Sequence, residues 1–263
     1  MAISRKQQQD LLKTLRIGGW LVVVFAAVMF MMSVVSQKKE SKATEIITEI
    51  KPLPDGNSLI NEGNIFKTIK KSFTYNLLAV PLVEVDVERV ERVLEADPFI
   101  EDAEVYINAN NQIHIYAEQR EPILRIIDKN NLNYYLDIEG KKMPLSTNFT
   151  ARVIVATGNI PPHDPNFLKR KKHTLKDVFD LTNLLLANDF YNALIEQIHV
   201  SNNGEVTLIP KVGRQKIQLG KFNDLEEKLW RLQVFYEEGM NQVGWSKYKT
   251  LDVRYAGQVI GRK

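Results

Sequence analysis

The stretch VDVERVERVLEADPFIEDAEVYINANNQIHIYAEQREPI, residues 85–123, reads as one helix followed by one hairpin. Asp86 stands where an N-cap is wanted, and Glu88 lies in the first turn, where a carboxylate suits the helix dipole. Val87, Val90 and Leu94 recur at i, i+3 and i+7, the period of one helical face. Asp97-Pro98 stops the helix, because the residue before a proline is driven out of the helical region. Beyond it Ala103, Val105 and Ile107 alternate with Glu104 and Tyr106, Asn108 to Asn111 make a turn, and Ile113, Ile115 and Ala117 alternate with His114, Tyr116 and Glu118. Such alternation predicts two strands that bury one face. Working upstream, Thr44 to Ile50 reads as a strand and Pro52 to Asn57 as a turn. Asn61 to Ser72 reads as a short helix with Ile65, Phe66 and Ile69 on one side. The first unit is therefore expected to run β-α-α-β-β over about 75 residues.

Downstream the pattern is again α+β. Asn133 to Leu136 is predicted as a strand leading into the turn Asp137-Ile138-Glu139-Gly140, and Arg152 to Thr157 as another strand. From Thr174 to Ala187, Leu175, Val178, Leu181 and Leu185 form an apolar face opposite Lys176, Asp177 and Asp180. Ile198, Val200, Val206 and Leu208 alternate across Asn202-Asn203-Gly204, a hairpin signature. Ile217 and Leu219 alternate into Gly220. Asn223 is read as the cap of a helix with Glu226 at its third position, and Leu225, Leu229, Leu232 and Phe235 as its buried stripe. One final strand is expected from Thr250 to Ile260, with Leu251, Val253 and Tyr255 inward and Asp252 and Arg254 outward. The Pro-containing break at 158–165, with the basic run Lys169-Arg170-Lys171-Lys172 behind it, reads as a solvated surface loop inside this second unit.

The other end of the chain is different in kind. Ile17 to Val35 are nineteen residues without a charge, and at about 1.5 Å per residue they reach roughly 28 Å, close to the thickness of a bilayer's hydrocarbon core. A single transmembrane helix at 17–36 behind a short tail at 1–16 is the expectation. A cleavable signal peptide is the rival, with Val34 and Ser36 at small-residue positions, but the apolar run exceeds that of usual leaders. Arg5, Lys6, Lys13 and Arg16 before the span are balanced by Lys38, Lys39, Lys42 and Lys51 after it, so charge alone does not orient it. The long C-terminal portion and the near-terminal span favour a signal anchor with a cytoplasmic N-terminus.

The 263 residues carry a net charge of only +3 and no cysteine. Nucleic acid is thereby disfavoured as the main partner, and disulfides, thiolate metal sites and a cysteine nucleophile are excluded. His114, His163, His173 and His199 are far apart in sequence, without ligand spacing, and read as surface residues. No G-x-S-x-G elbow, Walker A loop or G-x-G-x-x-G turn occurs. Glu226-Glu227 and Glu237-Glu238 fall on the polar side of a helix, where solvated charge is expected. Asn148-Phe149-Thr150 matches a glycosylation sequon. Neither a catalytic residue, a metal site nor a cofactor is expected, and the pattern is that of a binding module.

The wording around these elements resembles the FtsQ/DivIB family of bacterial cell division proteins. Val85-Asp86 opens a helix, Asp97-Pro98-Phe99-Ile100 steps into a strand, and Glu118-Gln119-Arg120-Glu121-Pro122-Ile123 leaves one. That exit is similar to the family's E-R-x-P, with Gln119 intervening between acid and arginine. Tyr134-Tyr135-Leu136-Asp137 with Gly140, Met143 and Pro144, the L-G-x-x-x-x-L-x-x-K-L-x-R-L run from Leu219 to Leu232, and Leu251-Asp252-Val253-Arg254-Tyr255 add to the likeness. The resemblance implies a POTRA domain at 45–121 and a C-terminal mixed α/β "β domain" at 122–263 with an open edge strand. It also implies a non-enzymatic divisome scaffold and regulator at the septal membrane. Its partners would be other divisome proteins and the FtsB/FtsL coiled-coil pair, whose docking would control septal peptidoglycan synthesis. The docking role carries to Arg254, Tyr255, Ala256, Gly257, Gln258 and Val259. Two alternatives remain open: a POTRA-containing outer-membrane assembly or secretion component, for which the repeated alternating segments of a barrel are missing, and a membrane-anchored envelope hydrolase.

Overall fold

The computed structural model describes residues 18–31, 41–240, 244 and 247–263. The tail at 1–16, Ile17 and the last residues of the expected span, 32–36, lie outside these. The described part of the span, α1 (18–31), is helical and exposed along its whole length. Among the described residues no helix is long and apolar enough to cross a membrane.

The chain divides into two compact units. The first comprises the described residues of 1–49 with 65–94 and 103–117, and the second 50–64, 95–102 and 118–263. In chain order the early elements are β1 (Ile46–Lys51), α2 (Glu62–Ser72), a 3-10 turn at Leu82–Glu84, α3 (Val87–Glu95), β2 (Ile100–Ile107) and β3 (Ile113–Gln119). The strands form a three-stranded sheet of order β1-β3-β2, so the β-α-α-β-β expectation holds. The Asp86 carboxylate accepts from the amide of Arg89 at 2.9 Å, which satisfies one of the orphan donors of α3. Val90 and Leu94 are wholly buried. Asn111 takes a positive φ of 63° to close the hairpin, a conformation asparagine tolerates better than most side chains. On α2 the apolar face is narrower than predicted: Ile65 and Ile69 are buried, whereas Phe66 stays exposed.

The second unit contains β4 (Pro122–Ile127), β5 (Asn133–Asp137), β6 (Lys142–Met143), β7 (Ile154–Gly158), a 3-10 turn (Phe167–Lys169), α4 (Thr174–Leu186), α5 (Asp189–Leu194), β8 (Ile195–Val200), β9 (Val206–Pro210), β10 (Lys216–Gly220), α6 (Leu225–Val234), a π-turn (Phe235–Gly239), β11 (Thr250–Asp252) and β12 (Ile260–Arg262). Its nine strands run in the order β12-β11-β10-β9-β8-β7-β4-β5-β6. β7–β8 and β10–β11 are parallel, and a parallel pair needs a crossover. The segments α4–α5 and α6 supply these, and their apolar faces cover the sheet. Leu175, Val178, Leu181 and Leu185 of α4 are fully buried with Leu124, Ile126, Ile198, Leu208, Ile217 and Leu251 of the strands. The loop at 159–173 belongs to this unit, pinned by the buried ring of Phe167.

The structure departs from the sequence expectation at the C-terminal strand, at the cap of α6 and at the histidines. The expected final strand is two strands, β11 and β12, joined by a turn that Gly257 makes with a φ of 72°. Asp252 is completely buried rather than outward, and Tyr255 is 47% exposed rather than inward. The reason is position: β11 is paired on both sides, so it keeps its polar side chain under a cover of arginines, and Tyr255 has already left the strand. The N-cap of α6 is Asp224, in a left-handed conformation and without a side-chain cap bond. The Asn223 oxygen instead accepts from Lys228 Nζ at 3.1 Å. The histidines also differ from the surface reading, since only His199 is exposed and the other three are half-buried.

Candidate partner-docking site

The end of the nine-stranded sheet is built from β10, β11 and β12. β11 lies parallel to β10, with Ile217 opposite Leu251 and Gln218 opposite Asp252. β12 lies antiparallel to β11, with Asp252 opposite Ile260 and Thr250 opposite Arg262. β12 is last in the sheet, so among the described residues one of its edges faces no strand. Gly261 lets the Tyr248 ring close over this strand, since a Cβ there would sit 2.6 Å from the ring.

Two buried charges organise the corner. Asp252 Oδ1 accepts from Arg254 Nε at 2.9 Å, and Oδ2 accepts from Arg254 Nη2 at 2.8 Å and from Arg262 Nη2 at 3.1 Å. Hydrogen bonds from Arg254 hold the Asp252 carboxyl below the usual carboxylate range, against an opposing effect of burial. The same partner, Asp252, raises the Arg254 guanidinium further above its ordinary value. From the helix side, Arg231 reaches across with its head group. Nη2 donates to the carbonyl of Val253 at 3.1 Å, Nη1 donates to that of Gln258 at 2.9 Å and to that of Tyr255, and Nε lies 3.3 Å from Glu227 Oε1. A lysine has no planar fork to hold three carbonyls in this way.

Of the residues predicted for docking, Arg254 to Val259 all fall in the turn between β11 and β12, not on a strand. They are together, and four of them, Tyr255, Ala256, Gly257 and Gln258, are exposed. Arg254 is engaged with Asp252, and its Nη1 lies 3.5 Å from Glu205 Oε2, so its role here is to hold the turn. Val259 is half-buried on the core. Sequence reasoning missed the helix side: Trp230 is exposed, and with Val234, Phe235, Gly239, Gly257 and Val259 it lines a groove of about 470 Å³ beside the turn. The signal was present, because Trp230 falls off the apolar stripe of α6 and has no core to fill. An unpaired edge supplies N–H and C=O groups to an incoming strand, and an adjoining apolar groove supplies a seat for its side chain. Among the described residues no group of three or more histidines and carboxylates is placed to hold a metal ion.

A small β-α-α-β-β unit followed by a mixed sheet ending in an open edge defines a POTRA-plus-sheet protein. A POTRA-like domain model matches residues 45–118, and the family model described as FtsQ/DivIB, C-terminal related, matches residues 121–262. The chain belongs to the FtsQ/DivIB family. It is 25% identical over 177 residues to the cell division protein FtsQ of Rhodothermus marinus, a match covering 63% of this chain and 61% of that protein.

Proposed function

We propose that this chain is a non-enzymatic scaffold of the bacterial division machinery, anchored by 17–36 with its N-terminus in the cytoplasm and the domains at 45–121 and 122–263 outside. The observation that carries the docking role is the unpaired edge of β12 beside a turn whose carbonyls Arg231 fixes. A partner strand adds to this edge, and one of its apolar side chains enters the groove under Trp230. Family membership points to the FtsB/FtsL pair as that partner, and so to control of septal peptidoglycan synthesis.

Co-purification from detergent-solubilised membranes tests this. The full chain should bring down an FtsB/FtsL-like pair, and Tyr255→Ala and Trp230→Ala, both at exposed positions, should reduce the yield while leaving the protein folded. Wild-type yields from both variants would refute docking at this corner. A reporter active only in the exported compartment, fused after Lys263, should be active, and activity of a cytoplasmic reporter there instead would refute the topology.

A further inference from the structure

The first unit carries an apolar segment that its own core uses only in part. Leu77 to Val83 are seven apolar residues in succession. Leu77 at one end and Val85 just beyond the other are buried, but Ala79 and Val83 are exposed, Val83 by 66%, and Leu78, Val80, Pro81 and Leu82 are half-exposed. A loop in water normally carries polar residues at such positions, and an uncovered apolar patch marks a surface that something covers.

The segment is held in place. The amide of Leu82 donates to the carbonyl of Ser41 at 2.9 Å, Lys42 and Pro81 form an isolated bridge, and the amide of Glu84 donates to Pro81 at 2.9 Å. The patch is therefore fixed to residues 41–42, separated by four residues from the proposed anchor at 17–36. The six residue steps from Val35 to Ser41 reach about 20 Å even when fully extended. Resting on the membrane anchor proposed above, we infer that residues 78–83 dock on the lipid interface at the mouth of the transmembrane segment. Lys42, exposed and bridged through its backbone to Pro81, offers its ammonium to the headgroups, as long cationic side chains do at an interface. The first unit is thus seated on the membrane by a second, reversible contact and does not simply hang from its tether.

The absence of cysteine makes single-site labelling clean. The full chain, reconstituted in phosphatidylcholine nanodiscs with a headgroup-borne quencher for sites 79, 83 and 106, an acyl-chain-borne quencher for the site at 28, or neither, would carry an environment-sensitive fluorophore at Val83→Cys. Two reference sites are Val28→Cys in α1 and Tyr106→Cys on β2, an exposed position in the same unit. The label at 83 should be blue-shifted and quenched several-fold more than the label at 106. With the label moved to Ala79→Cys, adding Val83→Asp should reduce quenching. Equal, weak quenching at 83 and 106 while the label at 28 is quenched would overturn the inference and leave the anchor standing. A blue shift at 83 without lipid quenching would overturn it in favour of a protein partner, and no quenching at 28 would overturn the anchor and this inference together.

Discussion

Replacing Asp252 with asparagine should loosen the C-terminal corner without unfolding the second unit. The carboxylate is wholly buried and accepts three side-chain hydrogen bonds from two guanidiniums. Asparagine keeps one acceptor and turns an amide donor toward the arginines, so about two charge-assisted bonds are lost, each of roughly 1.5–3 kcal/mol. Arg254 and Arg262 are 30% and 55% exposed and regain water. The net cost is then about 2–3 kcal/mol, below that of breaking a fully buried pair. Because folding lowers the Asp252 pKa, its contribution is complete above the unfolded value and disappears as pH falls through the folded one. The wild-type advantage should be full at pH 7 and shrink below about pH 4. Urea unfolding of the full chain at both pH values measures the magnitude, and amide exchange across 250–262 locates it. A variant within about 0.5 kcal/mol of wild type at pH 7, with unchanged exchange in β11 and β12, would show that the Asp252 carboxylate does not hold this corner.

Three further perturbations have defined outcomes. Gln119→Leu should cost about 2–4 kcal/mol, because the Gln119 oxygen accepts from the amides of Leu59 and Ile60 and its nitrogen donates to the carbonyl of Lys51, at 2.7, 3.1 and 2.8 Å; thermal unfolding checks it. Gly158→Ala should destabilise by about 2–4 kcal/mol, since φ is 100° and a Cβ would sit 2.0 Å from the Val200 carbonyl oxygen; denaturant unfolding reads this against Gly257→Ala, where the space is open. Arg231→Met should cost about 1–3 kcal/mol, chiefly through the buried Val253 carbonyl, and should raise exchange at 254–259, with Arg231→Lys only partly restoring protection.

The elements with unambiguous periodicity were legible. The α3 helix, the hairpins closed by Asn111 and Gly204 and the buried face of α4 followed from spacing and turn chemistry, because local preference and tertiary packing agree there. β4 is not legible: Pro122-Ile123-Leu124-Arg125-Ile126-Ile127 lacks alternation and begins at a proline, so no strand is expected there, yet it lies between β7 and β5. Gln119, an interruption of the family's exit motif, brackets the segment 51–60. At the proposed docking corner the resemblance points to the residues from Arg254 to Val259 but carries nothing of their shape. Alternation extrapolates a strand through Gly257, and nothing in a linear pattern shows that Arg231, over twenty positions earlier, fixes a reversal there. Asp252 was read as solvated for the same reason, since burial of a charge depends on partners that only the fold brings near.

Photo-crosslinking in dividing cells reads docking at the corner itself, with a crosslinkable residue placed singly at Tyr255, Gln258 or Arg262 on the corner, or at the exposed Ile138 on the β5–β6 turn. Docking at the β12 edge predicts adducts with an FtsB/FtsL-like protein from 255, 258 and 262 and none from 138. Adducts from 138 alone, or the same partner equally from all four positions, would contradict it.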